Sequence, residues 1–126
     1  MTRKKILAID DEQKLRQLYE DFLTDAGYDV TTLGDGFTGV METVHENFDL
    51  VILDIMMPGM DGVEALKNLR ETNKTLPVLI VSAYVENLDV MKMLEYGHVK
   101  FLAKPFDLLE LKNISNELIQ TSEAEG

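Results

Sequence analysis

The chain has 126 residues, enough for one domain with a real core, and its 45% apolar and 28% charged residues are ordinary for a soluble globular sequence. It contains no cysteine, which excludes disulfides, thiolate metal sites and thiol nucleophiles. A net charge of −11 opposes direct contact with a nucleic-acid backbone, so no such partner is expected.

The basic start Met1-Thr2-Arg3-Lys4-Lys5 precedes only a strand-length apolar run, Ile6 to Ile9, too short for a signal-peptide core. Other uninterrupted apolar runs, such as Leu50 to Leu53, fall far short of a membrane span, and a cytoplasmic protein with no membrane partner is expected. After the first strand, Leu15, Leu18, Tyr19, Phe22 and Ala26 recur at three- and four-residue spacing, the pattern of an amphipathic helix stopped by Gly27. A short strand over Asp29 to Leu33 leads into the turn Gly34-Asp35-Gly36. Phe37, Val40, Met41 and Val44 form the apolar face of a second helix, and Leu50 to Leu53 a fully apolar strand. Residues 58–62 read as a loop, followed by a third helix marked by Val63, Leu66 and Leu69. Pro77 opens the strand Val78 to Val81, and Leu88, Met91 and Leu94 mark a weaker fourth helix ending near Gly97. Val99 to Ala103 is the last strand. Asp107, with Glu110 three residues on, resembles a helix-starting cap for Leu111, Ile114 and Leu118.

Five strand–helix units result, and the strands are apolar runs rather than alternating ones. Strands of that kind are buried on both faces, which predicts an α/β, doubly wound, parallel sheet with five helices shared between its two sides. Residues 1–120 are expected to form one domain, with 121–126 a short, polar, frayed tail.

In such folds ligands collect beyond the carboxyl ends of the strands. There the first strand ends in Asp10-Asp11-Glu12, the third in Asp54 and the fourth in Ser82, and the fifth runs into Lys104-Pro105. Converging carboxylates repel and raise one another's pKa unless a cation sits among them. Mg²⁺ suits them, since it takes oxygen ligands and keeps some of its waters. With a lysine and a hydroxyl beside it, the rim forms a cradle for the equatorial oxygens of a phosphoryl group. Asp10 and Asp11 alone are equally suited to capping the first helix. Asp54, directly after four apolar residues, is harder to read as structural.

The runs Ala8-Ile9-Asp10-Asp11-Glu12, Leu53-Asp54-Ile55-Met56-Met57-Pro58-Gly59-Met60-Asp61-Gly62, Ser82-Ala83 and Lys104-Pro105-Phe106 resemble, in order and spacing over nearly the whole chain, the signature of two-component response-regulator receiver domains. Ala83-Tyr84 and Phe101 to Asp107 are further similar to those of single-domain sporulation phosphorelay receivers. The resemblance implies a flavodoxin-like strand order 2-1-3-4-5. It makes Asp54 the phosphoacceptor, with Asp11, Asp54 and the backbone carbonyl of Met56 as Mg²⁺ ligands and Asp10 acting through water. Lys104 would pair with Asp54 at rest and with the phosphoryl group after transfer. The donor would be a histidine kinase or a histidine phosphotransfer protein, and the output a downstream protein effector or a fused output domain. The chain would then be a phosphoacceptor signalling protein rather than an enzyme, assisting only its own phosphotransfer and slow autodephosphorylation.

The same resemblance makes Ser82 and Phe101 a switch pair: the hydroxyl turns toward the phosphoryl group, and the ring moves into the space it leaves. Phenylalanine keeps the packing role of the tyrosine common at that position but not its hydroxyl, and a fixed core ring is the alternative. Met56 and Tyr84, two residues beyond Asp54 and Ser82, occupy the positions that tune hydrolytic water; both are bulky, which predicts a persistent phosphoryl group. Docking is expected on the first helix, at Lys14, Leu15 and Leu18, and on the face formed by the fourth helix, fifth strand and fifth helix.

Other readings are weaker. A flavin carrier of the same strand order would need a Ser/Thr-rich phosphate loop where Asp10-Asp11-Glu12 stands. A phosphohydrolase would carry a second aspartate where the chain has Met56. A fold kept only for protein interaction would not need all of Asp10, Asp11, Asp54, Ser82 and Lys104. Gly97-His98-Val99-Lys100 departs from the common receiver pattern. His98 and His45 read as surface residues, and the methionines as core filling.

Overall fold

The computed structural model describes residues 2–55, 62–83 and 90–125. The chain alternates strand and helix throughout: β1 (Lys5–Ile9), α1 (Gln13–Asp25), β2 (Asp29–Leu33), α2 (Gly36–His45), β3 (Leu50–Asp54), α3 (Gly62–Thr72), β4 (Val78–Ser82), α4 (Val90–Leu94), β5 (Val99–Ala103) and α5 (Leu108–Glu125). All strand pairs are parallel, in the order β2-β1-β3-β4-β5. The doubly wound sheet and its strand order are those expected. The loop over 58–62 (up to residue 61), Leu88, Met56 and Tyr84 lie outside the described residues.

Alternation along each strand divides the core in two. Ile6, Ala8, Leu50, Ile52, Leu79 and Val81 face α1 and α5, where Tyr19, Leu23, Leu111 and Leu118 complete the packing. Leu7, Ile9, Val51, Leu53, Val78 and Ile80 face the opposite side, against Leu66 and Leu69 of α3 and Met93 of α4. The three central strands are therefore buried on both faces, while β2 at the edge is only half-buried. No helix of the described residues is long and apolar enough to cross a membrane.

Two helices present a different face from the one their spacing predicts. In α2 the buried residues are Gly36 and Gly39 and Val40 packs on the core as expected, whereas Phe37 is 75% exposed and Met41 and Val44 also face outward. The reason is a close approach. A Cβ on Gly39 would lie 2.3 Å from Ile9 Cδ1 and 2.7 Å from Ile9 Cγ1, so the helix packs on the sheet through its glycine side. In α4, Met93 is buried while Met91 and Leu94 are exposed. Its far end is held from α3. The buried Arg70 guanidinium donates to the carbonyls of Tyr96 (3.1 Å) and Gly97 (2.7 Å), and burial pulls its pKa down to about 10.

Helix ends follow local chemistry. Asp35 caps α2, its carboxylate accepting from Phe37 N–H, Thr38 N–H and the Thr38 hydroxyl. Asp107 caps α5 as expected, accepting from Leu109 N–H at 2.8 Å. Helix α5 runs through residues 121–125 instead of fraying. Ile119 is buried, the Ser122 hydroxyl donates to Thr75 O at 3.2 Å, and Glu123 pairs with Lys4, so the last turns are tied down.

Intrinsic helix propensity favours alanine over glycine by about 1 kcal/mol, but overpacking a filled core costs about 1–3 kcal/mol. Gly39→Ala is accordingly expected to lower unfolding stability in urea, while Phe37→Gln changes it by less than about 0.5 kcal/mol. A stabilised Gly39→Ala protein would contradict the close packing of α2.

Candidate functional site

Strand register assembles the site. Ile9 pairs with both Leu33 and Leu53, so Asp10, the next residue, comes level with Asp54 on the neighbouring strand. Asp54 pairs with Val81, which places Ser82 one step further out on β4. Ser82 in turn pairs with Ala103, and the Lys104 N–H extends the ladder by donating to Ser82 O at 2.9 Å. Thus Asp10, Asp11, Asp54, Ser82 and Lys104, separated by up to 94 positions, stand at one edge of the sheet.

Asp10 and Ser82 are fully buried and Asp54 is 4% exposed, while Asp11 is open to solvent. One carboxylate oxygen from each of Asp10, Asp11 and Asp54 lies within 4.8 Å of the others. Lys104 Nζ donates to Asp10 Oδ2 and to Asp54 Oδ2, each at 3.0 Å. Burial pulls the Lys104 ammonium down, but its hydrogen bonds to the two aspartates and their charges outweigh this and hold its pKa above the usual lysine range. Burial also pushes the Asp10 carboxyl above the usual range, against the Glu12 N–H and Lys104 hydrogen bonds; the charge of Asp54 adds to the rise. A single ammonium thus serves two of the three carboxylates.

This donor set fits Mg²⁺. All three side chains offer oxygen, and the exposure of Asp11 leaves room for coordinated water. Asp10 accepts from Glu12 N–H on Oδ1 and from Lys104 on Oδ2.

Two residues of α1 belong to this neighbourhood although their sequence positions gave no sign of it. Arg16 Nη1 donates to the backbone carbonyl of Asp10 at 2.8 Å. Tyr19, on the core face as its spacing predicts, stacks on Phe106 with ring centroids 6.1 Å apart. Its buried hydroxyl has no hydrogen-bond partner among the described residues. Burial, then the negative charges of Asp10, Asp54 and Glu12, raise its pKa, so the hydroxyl stays neutral. Phe101 is half-buried on β5, opposite Ile80, and packs against the α3–α4 side of the core. Met56 and Tyr84, outside the described residues, are not placed.

This geometry agrees with the comparisons. The family model for the response regulator receiver domain matches residues 6–116. The chain is 36% identical over 120 residues to the alkaline phosphatase synthesis transcriptional regulatory protein PhoP of Bacillus subtilis (strain 168), a match covering 95% of this chain and 50% of that protein. It is similar to the crystal structure of a CheY-like response regulator receiver domain protein from Methanospirillum hungatei JF-1, with TM-score 0.92 at 25% identity over 99% of this chain and 100% of that one. The receiver domain of the sensor histidine kinase PA1611 from Pseudomonas aeruginosa PAO1, which has a magnesium ion coordinated in its active site cleft, matches with TM-score 0.83 at 28% identity, covering 94% and 99% of the two chains. The chain belongs to the response regulator receiver domain family, whose role is that of phosphoacceptor in two-component signalling. It spans about half the length of the curated relatives it matches.

Removing the lysine leaves two buried carboxylates without their shared counter-charge. Lys104→Met is expected to cost about 3 kcal/mol of stability in EDTA at neutral pH. Mg²⁺ should then raise the urea midpoint more in the variant than in wild type, because the cation replaces the missing charge. Equal stability of the two proteins in EDTA would contradict this account of the rim.

Proposed function

We propose that Asp54 accepts a phosphoryl group from a phosphohistidine on a histidine kinase or a histidine phosphotransfer protein, with Mg²⁺ held by Asp11, Asp54 and the backbone carbonyl of Met56. A carboxylate oxygen of Asp54 forms the new bond to phosphorus as the bond to the donor imidazole breaks. The observation that carries the reading is the convergence at one sheet edge of Asp10, Asp11 and Asp54, whose carboxylate oxygens lie within 4.8 Å of one another, with Lys104 bonded to Asp10 and Asp54. When bound, the metal neutralises charge building on the phosphoryl oxygens. Asp10 anchors the Lys104 ammonium and holds the metal's water. Lys104, already shared between Asp10 and Asp54, needs only a small movement to contact an equatorial oxygen.

Ser82 supplies the hydroxyl that follows the added charge, and Phe101 the ring that moves into the vacated space, as a population shift between existing states. Met56 and Tyr84 shield the aspartyl phosphate from water. The kinase docks on α1, where Leu18 is exposed beside Lys14. The signal leaves through the α4–β5–α5 face, where Met91, Leu94 and Leu109 stand open, toward a protein effector or a fused output domain. With its charge of −11, the domain does not itself contact nucleic acid. It works in the cytoplasm.

Incubation with Mg²⁺ and a small acyl phosphate is expected to add one phosphoryl group, read by intact mass, and none in EDTA or in Asp54→Ala. In the same phosphorylated sample, the Phe101 ring resonances should change their exchange. A mass gain that survives Asp54→Ala would overturn the assignment, and unchanged Phe101 exchange would remove the switch. Decay of the adduct should be faster in Met56→Ala and Tyr84→Ala; wild-type lifetimes in both would remove the shielding role.

A further inference from the structure

The turn between β1 and α1 carries two of the three carboxylates, yet its own side chains cap the helix poorly. The N-cap residue Glu12 makes no side-chain cap hydrogen bond. The turn is held by three other hydrogen bonds. Asp10 N–H donates to Leu33 O at 3.0 Å, and Asp10 Oδ1 accepts from Glu12 N–H at 2.9 Å. The third hold is Arg16, which reaches back from α1 to the carbonyl of Asp10 at 2.8 Å.

Gly34, just past β2, leaves room for that reach. A Cβ there would lie 2.8 Å from Arg16 Nη1 and 3.2 Å from its Cζ. Its backbone does not call for glycine, since the positive-φ glycines among the described residues are Gly27 and Gly97. The missing side chain is space for the guanidinium.

The Asp10 carbonyl belongs to the planar peptide that ends in the Asp11 N–H. Holding the oxygen fixes that plane, and with it the direction in which Asp11 leaves the chain. This matters because Asp11 is exposed and its carboxylate accepts no hydrogen bond from the described residues, so the backbone sets where its side chain starts and only its own side-chain rotations remain. We propose that Arg16, seated over Gly34, is a positioning residue that aims Asp11 at the divalent cation; the proposal rests on the metal-binding reading above. Simple charge predicts the opposite, since a guanidinium near the rim should repel a cation and its removal should tighten binding. Position and charge therefore give opposite signs.

The test is a Mg²⁺ titration followed by amide chemical shifts in wild type, Arg16→Ala, Arg16→Lys, Gly34→Ala and the Arg16→Ala/Gly34→Ala double variant, with urea melts in EDTA for each. Supporting groups around metal ligands typically contribute about 10–100-fold in affinity, so Arg16→Ala is expected to weaken Mg²⁺ about tenfold. Gly34→Ala, which keeps the charge but displaces the guanidinium, should weaken it similarly. The double variant should be no weaker than Arg16→Ala, because nothing is left to displace, and Arg16→Lys should recover part of the loss. Unchanged or tighter Mg²⁺ binding in folded Arg16→Ala overturns the proposal, as does an additive loss in the double variant. A purely structural Arg16 would move the urea midpoints and leave the affinity alone, which also overturns it. Absence of Mg²⁺ binding in wild type would instead remove the metal reading on which it stands.

Discussion

Three carboxylate oxygens lie within 4.8 Å of one another with one ammonium bridging two of them, and the rest of the molecule is arranged around that imbalance. Two unit like charges at that distance repel by about 3.5 kcal/mol at an effective dielectric near 20. Burial sharpens the conflict: Asp10 and Asp54 have little water to solvate them, and the raised carboxyl of Asp10 registers that cost. Lys104 relieves part of it but is bound to only two of the three. A rim built this way holds a standing attraction for a divalent cation and, with the cation in place, for a dianionic phosphoryl group.

The rim cannot relax because of what lies behind it. Asp10 and Asp54 continue strands whose side chains are packed on both faces, and Lys104 is laced to β4 through its own N–H. Loops would let the carboxylates swing apart toward water; strand ends do not. The doubly wound core thus supports the chemistry directly, since preorganised charge acts without further reorganisation when a ligand arrives.

The strands and the site were legible in the sequence for the same reason. A strand buried on both faces needs an unbroken apolar run, and a polar residue ending such a run stands at the sheet edge. Ile6–Ile9 before Asp10, Leu50–Leu53 before Asp54 and Val78–Val81 before Ser82 are that signal repeated. The helices were less legible where packing did not follow hydrophobicity. In α2 the sheet is met by Gly36 and Gly39, so a pattern search finds the outward stripe of Phe37, Met41 and Val44 instead. In α4 the spacing marks Met91 and Leu94 as one stripe, whereas the residue that reaches the core is Met93. The length of α5 was hidden because its last turns are secured by Ser122 and Glu123, polar residues that read as tail.

Arg16 and Tyr19 illustrate a different limit. Both lie on α1, six and nine residues beyond Asp10 in sequence, and neither belongs to a motif. What links them to the rim is that α1 packs beside β1, so that a side chain on its first or second turn can lean back over the strand end. Arg16 does so as a donor to backbone, and Tyr19 as an aromatic body stacked on Phe106, just past Lys104. A buried hydroxyl without a partner typically costs about 1–3 kcal/mol, which the stacked and buried ring offsets. Through these two residues one helix touches both chain segments that supply the rim's charges, the turn carrying Asp10 and Asp11 and the loop following Lys104. The rim's carboxylates and the lysine that answers them are therefore set by a common support rather than by two independent loops.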